Sequence, residues 1–412
     1  MWTRNAKMLA GLSATLYIVA LVNDTFAAYA LWWASVCVLA FAYLYARRSL
    51  RGAALTRRLA GNRIFQNDPL EMTLKLRHPP GSSQLFLIKD PLRSLTHDTT
   101  EQAEYALQAD PEGGEDELKR SLEFPLRGHY RLGPLVLQGS DPMGLFARSA
   151  AAGRADEVIV YPRPLPLPSL YLQGLSSYKL SDQRTAPLAG ATQEFYGIRP
   201  YQYGDDLRRI HWKSTARTGR LAIKEYEQRV STAATIILDL QQAAHRGAGA
   251  QSSLEYAVTI AASFARHVVD SGNSLSLIST GADGFVLPMD RGEQQLHKAL
   301  EHLAVAKADG SADIAAALGA RLSQLPAAST VLVITPAADP HLAYPLLMLR
   351  GAGAHVSAVL IAAHTFDDAP DAIAEARYGD LLVAAFGAAD AVCPVRRGDD
   401  IVSALGAARL WL

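Results

Sequence analysis

Two uncharged runs at the N-terminus constrain this chain before any other feature does. Met8 to Asn23 and Thr25 to Ala46 contain no Asp, Glu, Lys or Arg, and only Asp24 separates them. At a helical rise of about 1.5 Å per residue the first run reaches ~24 Å and the second ~33 Å, against a hydrocarbon core of about 30 Å. The spacing predicts a hairpin of two membrane-spanning helices, the shorter one accommodated by snorkelling of Lys7 or slight bilayer thinning. Arg47, Arg48, Arg51, Arg57 and Arg58 follow the second run with no acidic residue before Asp68, while Arg4 and Lys7 precede the first. The positive-inside rule then puts both ends in the cytoplasm, with the turn at Asp24 on the far side. The competing reading is a signal peptide cleaved at Ala28-Tyr29-Ala30, but that cut falls inside the second apolar run. Neither run carries the polar stripe of an interfacial helix.

At 412 residues, the chain left after such an anchor is long enough for two domains. Lys plus Arg and Asp plus Glu are 40 each, so no whole-chain field draws it to nucleic acid, and any charged partner is met locally. The two cysteines, Cys37 and Cys393, exclude a disulfide framework and fit a reducing compartment.

Between residues 60 and 162 the apolar runs are short. Leu70, Met72, Leu74 and Leu76 alternate onto one face, Leu85 to Ile88 is continuous, and Pro, Gly and Asp clusters separate the runs. That texture predicts a small antiparallel β-sandwich. Tyr161 to Pro168 reads as an extended Pro-rich connector. From 230 to 412 the pattern changes to apolar strand candidates, Thr235–Leu240, Ser274–Ser279, Thr330–Thr335 and His355–Ile361. They alternate with helical stretches near 254–269, 294–305, 312–325 and 342–349, which predicts a doubly wound α/β domain. The organisation expected is thus a hairpin over 1–50, a sandwich over 60–162, a connector over 163–229 and an α/β domain over 230–412.

The connector holds the segment unlike the rest of the chain. Residues 190–230 carry eight basic and five acidic residues, with Tyr196, Tyr201, Tyr203, Trp212 and Tyr226 interleaved. Gly204 followed by Asp205 and Asp206 is a turn with an N-cap signal, and Leu207 to Thr215 is expected as one short helix with Arg208 and Trp212 on a shared face. Glu194, Arg199, Tyr201, Gly204, Asp205, Arg208, Trp212, Lys213, Arg217, Lys224 and Glu225 form the candidate site. Either these charges pair among themselves and tie domains together, or exposed Arg forks grip a partner's carboxylates or phosphates.

The run Gly204-Asp205, Arg208, Ile210, Trp212, Ala216-Arg217, Gly219, Leu221 and Lys224-Glu225 resembles the defining motif of the bacterial domain of unknown function 58 family. Arg127 to Pro134 (RGHYRLGP) and Asp141 to Phe146 (DPMGLF) resemble that family's other recurrent pattern. The resemblance implies a C-terminal half like a von Willebrand factor A domain. It also implies association with MoxR-type AAA ATPases and neighbouring membrane proteins, hence a scaffold or adaptor in envelope protein maturation or stress.

A von Willebrand A domain that binds Mg²⁺ needs an Asp-x-Ser-x-Ser turn, a Thr and a second Asp to supply oxygen ligands. Here Asp239 is followed by Leu240, Gln241, Gln242 and Ala243, Ala312 stands near the Thr position beside Ser311, and Pro336 follows Thr335. The turn is degenerate, and the expectation is a lone carboxylate at Asp239 with no metal and no cofactor. Nucleotide-loop, zinc-helix and serine-elbow motifs are absent, and the expectation is a non-enzyme. The alternatives are a cation-dependent ligand-binding domain and an enzyme centred on Asp205. His297 and His302 are expected at the surface, and Cys393 as a small apolar filler.

Overall fold

The computed structural model describes residues 2–80, 85–110, 112–167, 192–202, 205–229, 233–322, 325, 329–369 and 371–407. For 192–197, 209 and 225–229 only the backbone path is described. The chain divides into two compact units, Met1–Tyr161 and Pro162–Leu412.

The first unit opens with helices α1 (Arg4–Asn23) and α2 (Phe26–Arg48), joined at Asp24, whose φ of 44° is left-handed. Thr3 caps α1 by accepting the Ala6 N–H at 3.2 Å. Both helices are long and apolar enough to cross a membrane. Small residues line their contact. Ala6, Ala20 and Ala42 are buried, and the Ser35 hydroxyl donates to Ser13 Oγ at 2.8 Å. Small side chains let two helices approach closely where no water drives them together. The larger apolar residues, among them Leu12, Ile18, Leu31, Phe41 and Leu44, stay exposed, the reverse of a soluble protein's core helix.

Strands follow: β1 (Ala54–Leu59), β2 (Arg63–Phe65), β3 (Pro69–His78), β4 (Leu85–Ser94), β5 (Thr100–Gln108), β6 (Gly114–Glu123), β7 (Gly128–Leu132), β8 (Leu135–Ser140), β9 (Ala147–Ala152) and β10 (Asp156–Tyr161). One sheet has the order β1-β3-β6. The other runs β2-β10-β7-β4-β8-β9, with β5 also on β4. Every pairing is antiparallel except β2 with β10. Leu70, Met72, Leu74 and Leu76 of β3 are all buried, as their alternation predicts. Met72, Leu74 and Leu76 share one cluster with Phe86 and Ile88 of β4 and with Leu135 and Leu137 of β8, so residues of both sheets meet in one core.

An ion-pair centre lies within that unit. Arg57 Nη1 donates to both oxygens of Asp90 at 2.8 Å, its Nε to Asp156 at 2.7 Å, and its Nη2 to the Leu132 carbonyl at 2.7 Å. The RGHYRLGP run places Leu132 there: β7 covers Gly128–Leu132, and the Gly133 N–H bonds the Pro91 carbonyl. The Arg127 side chain is fully buried and the Tyr130 hydroxyl donates to the Leu126 carbonyl, so this motif builds the sheet.

The second unit contains β11 (Thr192–Pro200), α3 (Trp212–Thr218), β12 (Ala222–Arg229) and then an alternation of strands and helices. These are β13 (Ala233–Leu238), α4 (Ser253–Asp270), β14 (Ser274–Ser279), β15 (Val286–Asp290), α5 (Glu293–Val305), α6 (Ile314–Arg321), β16 (Thr330–Thr335), α7 (Ala343–Gly351), β17 (His355–Ile361), α8 (Ala372–Ala388), β18 (Ala391–Val395) and α9 (Ile401–Ala407). The sheet order is β15-β14-β13-β16-β17-β18, parallel except for β15. Strands β13, β16 and β17 are buried along nearly their whole length, as continuous apolar runs require when helices cover both faces. One face shares a cluster with α6, α7 and α8 through Ile237, Val331, Val333 and Val356, and α4 packs against β13, β14 and β16. Ser252 and Glu255 give α4 the Ser-x-x-Glu start of a capping box, with the Glu255 N–H on Ser252 Oγ.

The Pro-rich segment is without regular structure over 162–167, and the Leu165 N–H bonds the Ser263 hydroxyl of α4 at 2.9 Å. His302 departs from its expected surface position. It is partly buried on α5, stacked on Phe285 with ring centroids 3.6 Å apart and hydrogen-bonded to the Ser279 hydroxyl at 2.9 Å. Burial pushes its pKa down to about 4, with Asp283 pulling the other way. His297 is exposed. Cys393 is fully buried on β18, where burial pushes its thiol up to about 12.

Candidate functional site

The charged aromatic segment is a β-hairpin with an elaborated tip. β11 and β12 pair antiparallel, Glu194 opposite Glu227, Ile198 opposite Lys224 and Arg199 opposite Ile223, with a register shift between Phe195 and Gly197. The tip from Tyr201 to Leu221 folds back on β12. Ile210 bridges to Ile223, the His211 N–H donates to the Ala222 carbonyl at 2.8 Å, and the Ala222 N–H donates to Thr215 Oγ1 at 3.1 Å.

The expected single helix over Leu207–Thr215 is instead two pieces. A short 3₁₀ turn covers Leu207–Arg209, Ile210 is extended with ψ of 131°, and α3 begins at Trp212. The physical reason is capping. Asp206 accepts the Arg208 N–H and ends its influence there, while His211 starts a new helix by accepting the Ser214 N–H on Nδ1. Ile210 is buried against β12, which holds the break open. Arg208 and Trp212 therefore belong to different elements. Gly219, at φ 67°, supplies the left-handed cap that ends α3.

Arg199 and Asp205 lock the start of the tip with two nitrogen–oxygen contacts, at 2.7 and 2.6 Å, and Asp205 also accepts the Gln202 N–H at 2.8 Å. Tyr201 is partly buried, and its backbone N–H bonds the Leu221 carbonyl. Arg208, Lys213, Arg217 and Arg220 are exposed and have no ion-pair partner among the described residues. Trp212 is 69 % exposed and Leu207 61 %. Lys213 and Arg217, four apart on α3, share a face. Lys224 is half-buried on β12. Gly204 and the side chains of Glu194 and Glu225 lie outside the described residues. The structure thus splits the predicted set. Arg199 and Asp205 build the tip, whereas Arg208, Trp212, Lys213 and Arg217 face outward.

Asp239 is not the lone carboxylate that the sequence predicts. Its Oδ1 accepts the Gln241 N–H at 3.0 Å and the Thr280 hydroxyl at 3.1 Å, and its Oδ2 accepts the Thr335 hydroxyl at 2.6 Å. The hydroxyls come from the ends of β14 and β16 rather than from the loop at Ser311, which sequence spacing cannot reveal. Asp239 sits where the strand order reverses between β13 and β16, the position at which open α/β sheets bind ligands. An open cleft of about 490 Å³ lies at these strand ends, lined by Gln241, Arg246, Asp313, Asp339, Asp371 and Arg377 among others. The Asp239 side chain is fully buried and does not line it. Among the described residues no group of three His, Cys, Asp or Glu is arranged to hold a metal ion.

The family model described as Protein of unknown function DUF58 matches residues 197–372, from within β11 through β17 to the start of α8. The resemblance to this family read from the sequence is thus supported over residues 197–372. A relative, the uncharacterized protein YeaD of Bacillus subtilis, is 23 % identical over 319 residues, covering 73 % of this chain and 74 % of that protein. Among solved structures, a β-glucosidase from Listeria innocua in complex with glucose matches with a TM-score of 0.20 at 12 % identity, over 26 % of this chain and 16 % of its own. The sporulation control protein Spo0M from Bacillus subtilis matches with a TM-score of 0.16 at 12 % identity, over 26 % of this chain and 49 % of its own. The chain thus spans only a small part of the β-glucosidase.

Proposed function

We propose that this protein is a membrane-tethered, non-enzymatic docking protein that presents the hairpin tip to an acidic surface of a protein partner. The observation that carries the proposal is an exposed Trp212 flanked by Arg208, Lys213 and Arg217, none of them ion-paired among the described residues. A large aromatic ring beside guanidinium forks is the composition of interface hot spots, and each fork can take a carboxylate bidentately. The Arg199–Asp205 lock holds the patch in shape before a partner arrives, which lowers the ordering cost of binding.

In this reading α1 and α2 form a two-pass anchor in the bacterial inner membrane, with the soluble parts cytoplasmic, as the Arg47–Arg58 cluster favours. The β-rich part is an antiparallel sandwich. The six-stranded sheet, with its antiparallel edge strand β15 and an aspartate after its first strand, is a von Willebrand A-like domain that uses no cofactor. The partner we propose is a MoxR-type AAA ATPase acting in envelope protein maturation or stress. Co-purification of the full chain from detergent tests this. Arg208→Ala and Trp212→Ala are expected to lose the partner while leaving the melting profile unchanged, and retention of every partner by folded variants would remove the docking role.

A further inference from the structure

The DPMGLF loop is seated on the hairpin. Leu145 and Phe146 are 6 % and 5 % exposed and pack on Ala6, Ala42 and Ala46, with Leu9, Val38 and Leu39 around them. The Thr3 hydroxyl donates to the Gly144 and Leu145 carbonyls at 2.9 and 2.7 Å, and the Thr3 N–H donates to the Leu145 carbonyl at 3.1 Å. The rings of Trp2 and Tyr43 stand edge-on to Phe146, with centroids 5.3 and 5.7 Å away.

These contacts fix a depth. Ala42 and Tyr43 precede Arg47 by five and four residues, which places them about 6–8 Å along the helix inside the first basic residue. Leu9 lies inward of Lys7 in the same way. The loop therefore packs across the end of the hairpin, on Leu9, Val38, Ala42 and Tyr43 inside the charge-free runs and on Trp2, Thr3 and Ala6 just outside them, the level at which bilayer meets water. The chemistry of the loop matches that depth. Met143 is 58 % exposed and Trp2 55 %, and Leu85, which together with Tyr45, Pro142 and Met143 lines a hollow of about 470 Å³, is 55 % exposed. The loop's one charged residue, Asp141, is buried and accepts the Leu145 N–H at 2.8 Å on each oxygen, so its charge faces inward. Tryptophan favours the membrane–water interface, and exposed Arg47, Arg48 and Arg51, at and just after the end of α2, can meet anionic headgroups.

We propose that the Pro142–Phe146 loop and Trp2 insert into the interfacial zone of an anionic phospholipid bilayer, so that lipid covers Trp2, Leu85 and Met143 and the β-rich part stands at a fixed tilt. This rests on the anchor reading above. Depth-dependent quenching separates the two claims. Full-length chain carrying Cys37→Ala and Cys393→Ala receives one labelled cysteine by Leu31→Cys, Met143→Cys or Glu101→Cys. It is then reconstituted in phosphatidylcholine–phosphatidylglycerol vesicles with and without brominated acyl chains. Glu101 pairs with Leu92, seven residues or about 23 Å along β4 from Leu85. The expected result is loss of emission at positions 31 and 143 and none at 101. Loss at 31 without loss at 143 overturns the insertion and leaves the anchor standing. No loss at 31 overturns the anchor and the insertion with it, and equal loss at 101 and 143 overturns the tilt. Met143 is exposed, so its replacement leaves the fold intact, checked by an unchanged melting profile.

Discussion

Arg199 and Asp205 face each other as fork and carboxylate, Nη1 to Oδ2 at 2.7 Å and Nη2 to Oδ1 at 2.6 Å, with their side chains only 24 % and 18 % exposed. The pair closes the loop that leads from β11 into the tip, and so controls where Arg208 and Trp212 point. Asp205→Asn removes the charge and keeps the shape. We expect a local loss of about 1–2 kcal/mol, below the cost of breaking a fully buried pair because both groups are partly wet. Hydrogen exchange checks this, with the Ile210 and Ala222 amides expected to exchange faster while those of β13 and β16 do not change.

Arg57 has no exposed alternative for its charge. Its side chain is 2 % exposed and that of Asp90 3 %. Burial pushes the Asp90 carboxyl upward against the pull of Arg57. Arg57→Ala leaves a buried carboxylate without its partner and is expected to cost about 3–5 kcal/mol. Arg57→Lys is expected to recover only part, since one ammonium cannot reach Asp90, Asp156 and the Leu132 carbonyl together. Chemical denaturation of the detergent-solubilised chain measures both.

His302 gives the second unit a pH dependence of known sign. Its folded pKa lies near 4, below the ordinary 6.5, because burial under Phe285 disfavours the imidazolium. The neutral ring is the form that the fold stabilises. Its contribution is complete above pH 6.5 and is lost as the pH falls toward 4, by at most about 3 kcal/mol. His302→Gln is expected to flatten the melting temperature between pH 7 and 4 relative to the natural chain; an unchanged slope would contradict this.

Asp239 is held by two hydroxyls and an amide, so its removal should cost stability and added cation should do nothing. Asp239→Ala strands the Thr280 and Thr335 hydroxyls without their acceptor and is expected to destabilise the second unit by about 2–4 kcal/mol. Titration with millimolar Mg²⁺ is expected to leave the melting temperature where it was. A rise with Mg²⁺ would instead favour a cation-dependent ligand binder.

The parts of the fold legible in the sequence are those with strong periodicity. Ser274–Ser279, Thr330–Thr335 and His355–Ile361 are strands over the residues predicted, and Leu70 to Leu76 alternates into the core, because burial on fixed faces leaves a pattern. The two apolar runs become α1 and α2 for the same reason. The elements that the sequence hides have mixed or weak patterns. β15 is half exposed with Pro288 inside it, β18 is an edge strand that tolerates Pro394, and α8 is rich in Ala with Gly379 mid-helix. β5 and β6 are polar strands with one wet face. At the site, the charge and aromatic content of the motif was legible, but its division was not. Which cations pair and which stay free depends on a cap at His211 and a bridge at Ile210, both set by β12.

Contact between the hairpin tip and a protein partner is tested most directly by a photo-reactive phenylalanine analogue at position 212. In native membranes, irradiation is expected to give one discrete heavier species from position 212, lost when Arg208 and Arg217 are both replaced by Glu. The same analogue at the exposed control position 383 on α8 should give no such species. No product from 212, or the same product from both positions, would contradict the account.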